Sequence, residues 1–223
     1  MIAKAITSVA KMASGIAFRV TGWDTACRLA TIESVNQPKV SQPMRIIAGI
    51  MKGRKLLLPR GLHLRPTTDK VKEAIFNILS AEISGASFLD LFSGSGSIGI
   101  EAISRGAKRV VFVEKDKKHA LLIRKNLSLF PSNNPIAIFE GSAQDFLKTT
   151  KELFDLAYID PPYEDNDLPS LLLTLGSSDT IRPNGIAVIE HFYKREFHPS
   201  FGKLIFLRQV RYGGTALSFY VKK

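Results

Sequence analysis

Residues 90–99 read Asp90-Leu91-Phe92-Ser93-Gly94-Ser95-Gly96-Ser97-Ile98-Gly99, a glycine-rich loop between a buried strand (SFLDLF) and a helix (SIGIEAISRGA). Gly94 and Gly96 let the backbone turn tightly and approach a ligand with no Cβ in the way. The Gly94-x-Gly96-x-x-Gly99 spacing is shared with dinucleotide-binding folds, so on this loop alone nicotinamide and flavin enzymes stay in view. Its acidic neighbours favour S-adenosylmethionine. Asp90 is expected to end the strand, where a carboxylate suits a ligand with a cationic amino-acid portion and opposes a pyrophosphate. The alternative for Asp90 is an ordinary solvated carboxylate. Glu114 ends the next strand, RVVFVE, placed to accept from ribose hydroxyls; that position suits either cofactor. Phe92, Ser93 and Ser95 complete the candidate cofactor contacts of the loop. Beyond the third strand, Ala143 and Asp145 of Gly141-Ser142-Ala143-Gln144-Asp145 would frame the adenine, and N-capping of a helix explains Asp145 equally well.

Outward from the loop, strands and helices alternate. RVVFVE, PIAIFE, FDLAYID and GIAVIEH read as strands, and KKHALLIRKNLSLF, AQDFLKTTKE and SLLLTLG as helices. This order predicts an α/β, Rossmann-like fold with a mainly parallel sheet covered on both faces. LIFLRQVRYGGTALSFYV closes as an antiparallel pair at or near one edge, giving seven strands. Upstream, Val71, Ala74, Ile75, Ile78 and Leu79 follow helical spacing, with Lys70, Lys72 and Asn77 facing away. Thr67, Thr68 or Asp69 would cap that helix. RIIAGIMKGRKLLLP suggests a short β-hairpin with a basic turn near Lys52-Gly53.

Tyr158-Ile159-Asp160-Pro161-Pro162-Tyr163 ends the fourth strand of the parallel set. Ligands of open α/β sheets bind outside the carboxyl ends of the strands, which places this turn beside the glycine loop. An exocyclic amine is a poor nucleophile because its lone pair is delocalised into the ring. Asp160 and the Pro161 carbonyl can each accept one N–H and turn that lone pair toward a methyl donor. Proline offers a carbonyl without an N–H and stiffens the turn, a role Pro162 shares. Asp160 also eases loss of the proton, and Tyr163 offers a flat face for an extruded base. The plainer reading is a Pro-Pro turn capping a strand. Carbon methylation through a cysteine is disfavoured, because the only cysteine is Cys27, in the N-terminal extension.

The 223 residues suffice for one domain, and no apolar run reaches the ~20 residues of a membrane helix; a soluble protein is expected. Lys and Arg number 31 against 20 Asp and Glu, a formal net charge of +11. That excess fits a polyanionic partner, nucleic acid first, although basic chains are often merely soluble. Arg45, Lys52, Arg54, Lys55, Arg60, Arg65, Lys70 and Lys72 concentrate it in one stretch opposed only by Asp69. No disulfide is possible with one cysteine, and His63, His119, His191 and His198 lack metal-ligand spacing; no metal is expected. His191 is a possible base contact or, more simply, a strand-end histidine. Residues 1–43 read as a poorly ordered N-terminal extension. Their composition also fits an organelle transit peptide, better than a secretory signal. The catalytic domain is expected over 44–223, with 44–66 its basic hairpin and loop.

DLFSGSGSIGIE resembles the first methyltransferase motif, and DPPY the fourth motif of amino-methyltransferases. More selectively, MRIIAGIMKGRKL…LRPTTDKVKEAIFNIL, the EKD strand end and RYGGTALSFY resemble RsmD-type 16S rRNA guanine-N2 methyltransferases from Met44 to about Lys223. The resemblance implies S-adenosylmethionine as donor and a guanine in small-subunit rRNA, within an assembled or partly assembled subunit, as acceptor. It also implies a cytoplasmic protein, here expected to be a monomer. Asp160, Pro161, Pro162 and Tyr163 match the family's catalytic motif, and Asp90, Gly94, Gly96 and Glu114 its cofactor positions. Residues 1–43 have no counterpart in it. Arg45, Lys52, Arg54, Lys55 and Arg65 would then clamp RNA phosphates, with Arg65 alternatively orienting the cofactor or the base. DNA adenine-N6 methyltransferases and protein glutamine methyltransferases use related turns and are the rival enzymes; a non-catalytic RNA-binding module is the third.

Overall fold

Apolar runs without alternation belong in strands covered on both faces, and four such runs build the interior of one sheet, with a half-buried fifth at its edge. The structure, a computed structural model, describes residues 44–58, 67–130, 134–162 and 165–223. The expectations for residues 1–43, Arg65 and Tyr163 fall outside these residues. The parallel strands are β1 (Ser87–Leu91), β2 (Arg109–Glu114), β3 (Ile136–Glu140), β4 (Phe154–Ile159) and β5 (Ile181–Phe192). β6 (Ser200–Phe201), β7 (Leu204–Tyr212) and β8 (Thr215–Lys222) complete the order β3-β2-β1-β4-β5-β8-β7-β6. β8 is antiparallel to both β5 and β7. The expected antiparallel strand near one edge is therefore present, and the two-residue β6 is an addition too short for any periodicity to reveal.

Helices α1 (Asp69–Ile78), α2 (Ser97–Ser104), α3 (Lys117–Ser128), α4 (Ala143–Thr149) and α5 (Leu168–Ser177) cover the sheet. On one face Ile75, Phe76, Ile100 and Ile123 pack with Phe88, Phe112, Tyr158 and Val188. On the other, Phe146, Leu147, Leu171 and Leu175 pack with Leu89, Val113, Phe154 and Ile189. Each fully buried large side chain contributes about 1.5–3 kcal/mol by leaving water. Strand order reverses between β1 and β4, and such a switch point leaves a crevice at the strands' carboxyl ends.

Thr68 caps α1, its hydroxyl accepting from Val71 N at 3.3 Å. Val71, Ala74, Ile75 and Leu79 are buried as expected, and Phe76 joins them. Lys72 departs from its expected outward position: it is fully buried, and its Nζ donates to the Arg45 carbonyl at 2.5 Å. The chain N-terminal to α1 folds over this face, so a helix-wheel polar position becomes an interior anchor. Burial lowers the Lys72 amine below its ordinary value, opposed by the nearby Glu101 and Asp69 carboxylates.

The expected hairpin survives as a single antiparallel bridge, Arg45 with Lys55, flanked by Ile46 N to Arg54 O and Leu56 N to Met44 O, both 2.9 Å. Gly53 N still reaches Ile46 O at 2.8 Å, but the donors of residues 47, 48, 50 and 51 go to α2 instead. Ile47 N and Ala48 N donate to the buried Glu101 carboxylate at 2.7 and 2.9 Å, and Ile50 N to Ser104 O at 2.8 Å. A Cβ on Gly49 would lie 1.8 Å from that same carbonyl. A side-chain acceptor on a helix thus replaces a strand partner.

Candidate active site

The glycine loop leaves β1 through Phe92, a non-glycine residue at φ +60°, a conformation that costs free energy and clusters at functional sites. Ser93 fastens the loop to the end of β2. Its Oγ donates to Asp90 O at 2.6 Å and accepts from Val113 N at 3.0 Å, while Ser93 N donates to Val113 O at 3.1 Å. Gly94 and Gly96 have φ of +54° and +77°, so both need glycine. Gly99 answers a different demand: an added Cβ would meet the Phe112 ring at 2.2 Å, so it sets how closely α2 approaches the sheet. The Ser95 carbonyl accepts from Asn126 Nδ2 of α3 at 3.0 Å.

Asp90 does not end β1; Leu91 follows it in the strand, and the Asp90 side chain is 1% exposed. This burial also removes the reading as a solvated carboxylate. Its Oδ2 accepts from Gly99 N at 2.9 Å. Burial pushes the carboxyl up to about 7, relieved by the Gly99 bond and reinforced by the charge of Glu114. Glu114 is held by two backbone donors, Gly94 N to Oε2 at 2.8 Å and Asp116 N to Oε1 at 2.9 Å. A carboxylate has about four acceptor sites, so these bonds aim it without exhausting it. Beside it, His119 places Nδ1 3.9 Å from Glu114 Oε1 and leaves its buried Nε2 without a partner.

Gly141 N donates to Glu114 O at 3.1 Å, bringing the third loop to the same end of the sheet. Ser142, not Asp145, caps α4: its Oγ accepts from Asp145 N at 3.0 Å and donates to Asp145 Oδ2 at 2.6 Å. Asp145 is exposed at the third helical position and Ala143 is buried behind it.

Asp160 follows β4 directly, its N–H reaching Leu91 O at 3.5 Å. Side chains alternate along a strand, so Asp160 shares the face of Tyr158, and Glu190 that of Val188. Ile159 pairs with Ile189, which sets Asp160 and Glu190 side by side. Burial pushes the Asp160 carboxyl well above the ordinary range, and the charges of Glu190 and Asp90 add to it. Tyr158 OH donates to Glu190 Oε2, and burial raises the phenol well above its usual value. Pro161 is buried and Pro162 exposed, with Pro162 O accepting from Asp165 N at 2.9 Å.

The structure therefore gathers Asp90, Phe92, Ser93, Gly94, Ser95, Gly96, Glu114 and Asp160 at one end of the sheet. Glu190 and Tyr158 join them, and sequence reasoning did not single them out. Their signal was a carboxylate inside a buried strand and a tyrosine two residues before Asp160. His191 is the strand-bound histidine of the plainer reading: 2% exposed, with Nδ1 on Phe192 O at 2.9 Å and Nε2 on Ser218 Oγ at 2.8 Å. The basic candidates divide. Met44 contacts Ser95 Oγ at 3.5 Å, which puts Arg45 near the loop, where its guanidinium pairs with Asp69 at 3.1 Å. Lys52 lies on the turn bound to Ser104, the far end of α2, about 12 Å along eight helical residues. Arg54 and Lys55 are exposed between them. Among the described residues no cluster could hold a metal ion, and no helix is long and apolar enough to cross a membrane.

Solved structures share this topology. A putative methyltransferase, yhhF, from Escherichia coli superposes with a TM-score of 0.72 at 30% identity, over 80% of this chain and 97% of that one. The putative methylase HI0767 from Haemophilus influenzae gives 0.68 at 33%, over 81% and 98%. SMU.776, a putative methyltransferase complexed with SAH, shares the fold at 16% identity and TM-score 0.54, over 67% of this chain and 49% of that one. The fold is that of the S-adenosylmethionine-dependent methyltransferases. Within that class the chain belongs to the family described as "Conserved hypothetical protein 95", whose model matches residues 44–221. It is 36% identical to "Putative rRNA methyltransferase YlbH" of Bacillus subtilis, over 81% of this chain and all of that protein. It is 38% identical to "Ribosomal RNA small subunit methyltransferase D" of Haemophilus influenzae, over 71% and 84%.

The site's chemistry fits S-adenosylmethionine. Two carboxylates buried against each other call for a cation, the glycines clear the approach, and the unpartnered His119 Nε2 marks a polar wall.

Proposed function

We propose that this protein transfers a methyl group from S-adenosylmethionine to the exocyclic N2 amino group of a guanine in 16S, small-subunit, rRNA. The observation that carries the chemistry is Asp160, set by the β4–β5 register between Glu190 and the glycine-loop carboxylates and followed by Pro161 and Pro162. Asp90 would face the cofactor's cationic amino-acid portion and Glu114 its ribose, with Phe92, Ser93, Gly94, Ser95 and Gly96 lining the approach and Ala143 and Asp145 flanking the adenine. The cofactor, when bound, supplies an electrophilic methyl on a sulfonium.

The protein's own groups orient the acceptor. Asp160 accepts one amine N–H and the Pro161 carbonyl the other, fixing the lone pair in line with the donor. The one N–H it accepts and a nearby cation favour the ionised carboxylate, so substrate and cofactor together restore the charge that burial suppresses in Asp160. The released proton then has an acceptor in Asp160, with Glu190 beside it. Tyr163 is assigned the stacking face for the flipped base. The rRNA acceptor rests on the names carried by relatives 36% and 38% identical and on the net charge of +11. Arg45, Lys52, Arg54, Lys55 and Arg65 are assigned to RNA phosphates.

The test offers labelled S-adenosylmethionine with undermethylated small ribosomal subunits, duplex DNA or release-factor protein, followed by nucleoside analysis. Label in the subunits as N2-methylguanosine is expected. Label in DNA or protein, or N6-methyladenosine in the RNA, would overturn the acceptor.

A further inference from the structure

Beyond the cleft, the C-terminal strands carry cations and aromatic rings without acids. After Glu196 the sequence holds no Asp or Glu, while Lys203, Arg208, Arg211, Lys222 and Lys223 are basic. β5 and β7 are both antiparallel to β8, so they run the same way, and the β7–β8 turn lies at the sheet end that carries Asp160.

The register also fixes the face. Glu190, Leu217 and Val210 form one row across β5, β8 and β7, and this row is level with Asp160. The next row outward is Phe192, Thr215 and Tyr212; the next inward is Val188, Phe219 and Arg208. Val188, Leu217 and Phe219 pack in the same cluster as Tyr158, so all three rows share the face of Asp160. Tyr212 is 39% exposed, a large ring at the surface one pleat beyond the reacting position, while the Phe192 ring packs 4.8 Å from that of Tyr193. Arg208 is exposed, with its guanidinium 5.3 Å from the centre of the Phe219 ring. Arg211, between Val210 and Tyr212, alternates to the opposite face, where its guanidinium lies 3.6 Å from the centre of the Tyr193 ring. The strip is also tied to the catalytic turn: Arg195 donates to Asp165 O at 2.9 Å, and Asp165 N to Pro162 O at 2.9 Å.

We propose that this strip binds the single-stranded RNA flanking the target nucleotide. Its bases stack on Tyr212, and its phosphates meet Arg208. The proposal rests on the RNA-directed function above and adds where the substrate runs. Extruding a base for methylation unstacks its neighbours, and exposed rings beside the site replace that stacking for any base. Guanidinium groups lying on rings are flat and partly pre-ordered, which suits them to phosphate. A second copy of this chain would set the same cations against each other, which disfavours self-association on this strip.

The test measures binding of a labelled single-stranded oligoribonucleotide to the full chain by anisotropy across a salt series. It compares wild type with Tyr212→Ala and with Arg208→Gln, using S-adenosylmethionine affinity as the check on folding. Tyr212→Ala is expected to weaken RNA binding roughly 5- to 100-fold, the range for one lost base–aromatic stack. Arg208→Gln should lower the slope of log affinity against log salt by about 0.7, the value for one lost phosphate contact. Cofactor affinity should hold in both. Wild-type RNA binding with both variants unchanged would overturn the strip alone. Failure of the wild type to bind RNA would overturn the RNA-directed reading with it. Sedimentation as a dimer that these variants split, with RNA affinity unaffected, would make the strip a self-interface and also refute the proposal.

Discussion

Asp90 and Asp160 are carboxyls that the fold holds in a crevice with too little positive charge. Each is shifted upward, and for Asp90 the value is about 7 against 3.8 for the free side chain. A carboxyl raised in the folded state favours the fold when protonated. Its contribution is whole below the unfolded value and is lost as pH rises through about 7. Cofactor binding should run the other way, because only the ionised group attracts a cation. Affinity for S-adenosylmethionine is therefore expected to rise between about pH 5.5 and 7.5, by at most about tenfold per unit for each proton released. Asp90→Asn should flatten most of the rise. Calorimetric titration at several pH values checks this, and a flat wild-type profile would remove Asp90 from contact with the cation. At this scale the motif residues were legible in the sequence because each lies at or one residue from a strand end beside a distinctive neighbour, although Asp90 proved to lie inside β1. Glu190 and Tyr158 were not, since only the β4–β5 register brings Glu190 beside Asp160. Lys72 misled because helical spacing does not say what else will cover the helix.

Among elements, the contact between α2 and β2 decides how the glycine loop is presented. Gly99 leaves no room for a methyl group against Phe112, and both neighbours are fixed, one by the helix and one by a buried strand. Gly99→Ala is expected to destabilise the fold by about 1–3 kcal/mol through overpacking. It should also weaken cofactor binding, because Gly99 N holds Asp90. Urea unfolding read beside cofactor titration checks both, and unchanged stability would mean that α2 shifts freely. The parallel strands were readable from sequence because burial on both faces leaves unbroken apolar runs. The N-terminal hairpin was readable only in part. The donors of Ile47, Ala48 and Met51 are satisfied by Glu101 and Ser104, more than 50 positions away, and no local pattern carries that information. β6 has two residues, fewer than any period.

Across the whole molecule, the charge of +11 is spread over separate places. Arg45 stands near the glycine loop, the turn around Lys52 lies at the other end of α2, and Arg208 stands on β7 on the far side of the cleft. A small ligand could not touch all three, whereas a folded polyanion could. Charge reversal at Lys52, Arg54 and Lys55 together is expected to weaken binding to small ribosomal subunits and flatten its salt dependence, with cofactor affinity unchanged. An unaltered salt slope in a filter-binding series would remove that turn from the interface. The sequence made the basic excess plain but drew attention to residues 45–72. The acid-free C-terminal stretch became informative once β7 was known to run toward the catalytic end.

The central claim is that Asp160 acts on the acceptor amine rather than on the cofactor. Its most direct test is single-turnover methyl transfer to undermethylated small subunits by wild type and Asp160→Asn, with cofactor affinity measured on the same preparations. The account predicts S-adenosylmethionine affinity within a few-fold of wild type and a rate lower by about 10²–10⁴, the range for losing a positioned proton acceptor. A near-wild-type rate, or a rate loss matched by loss of cofactor binding, would contradict it.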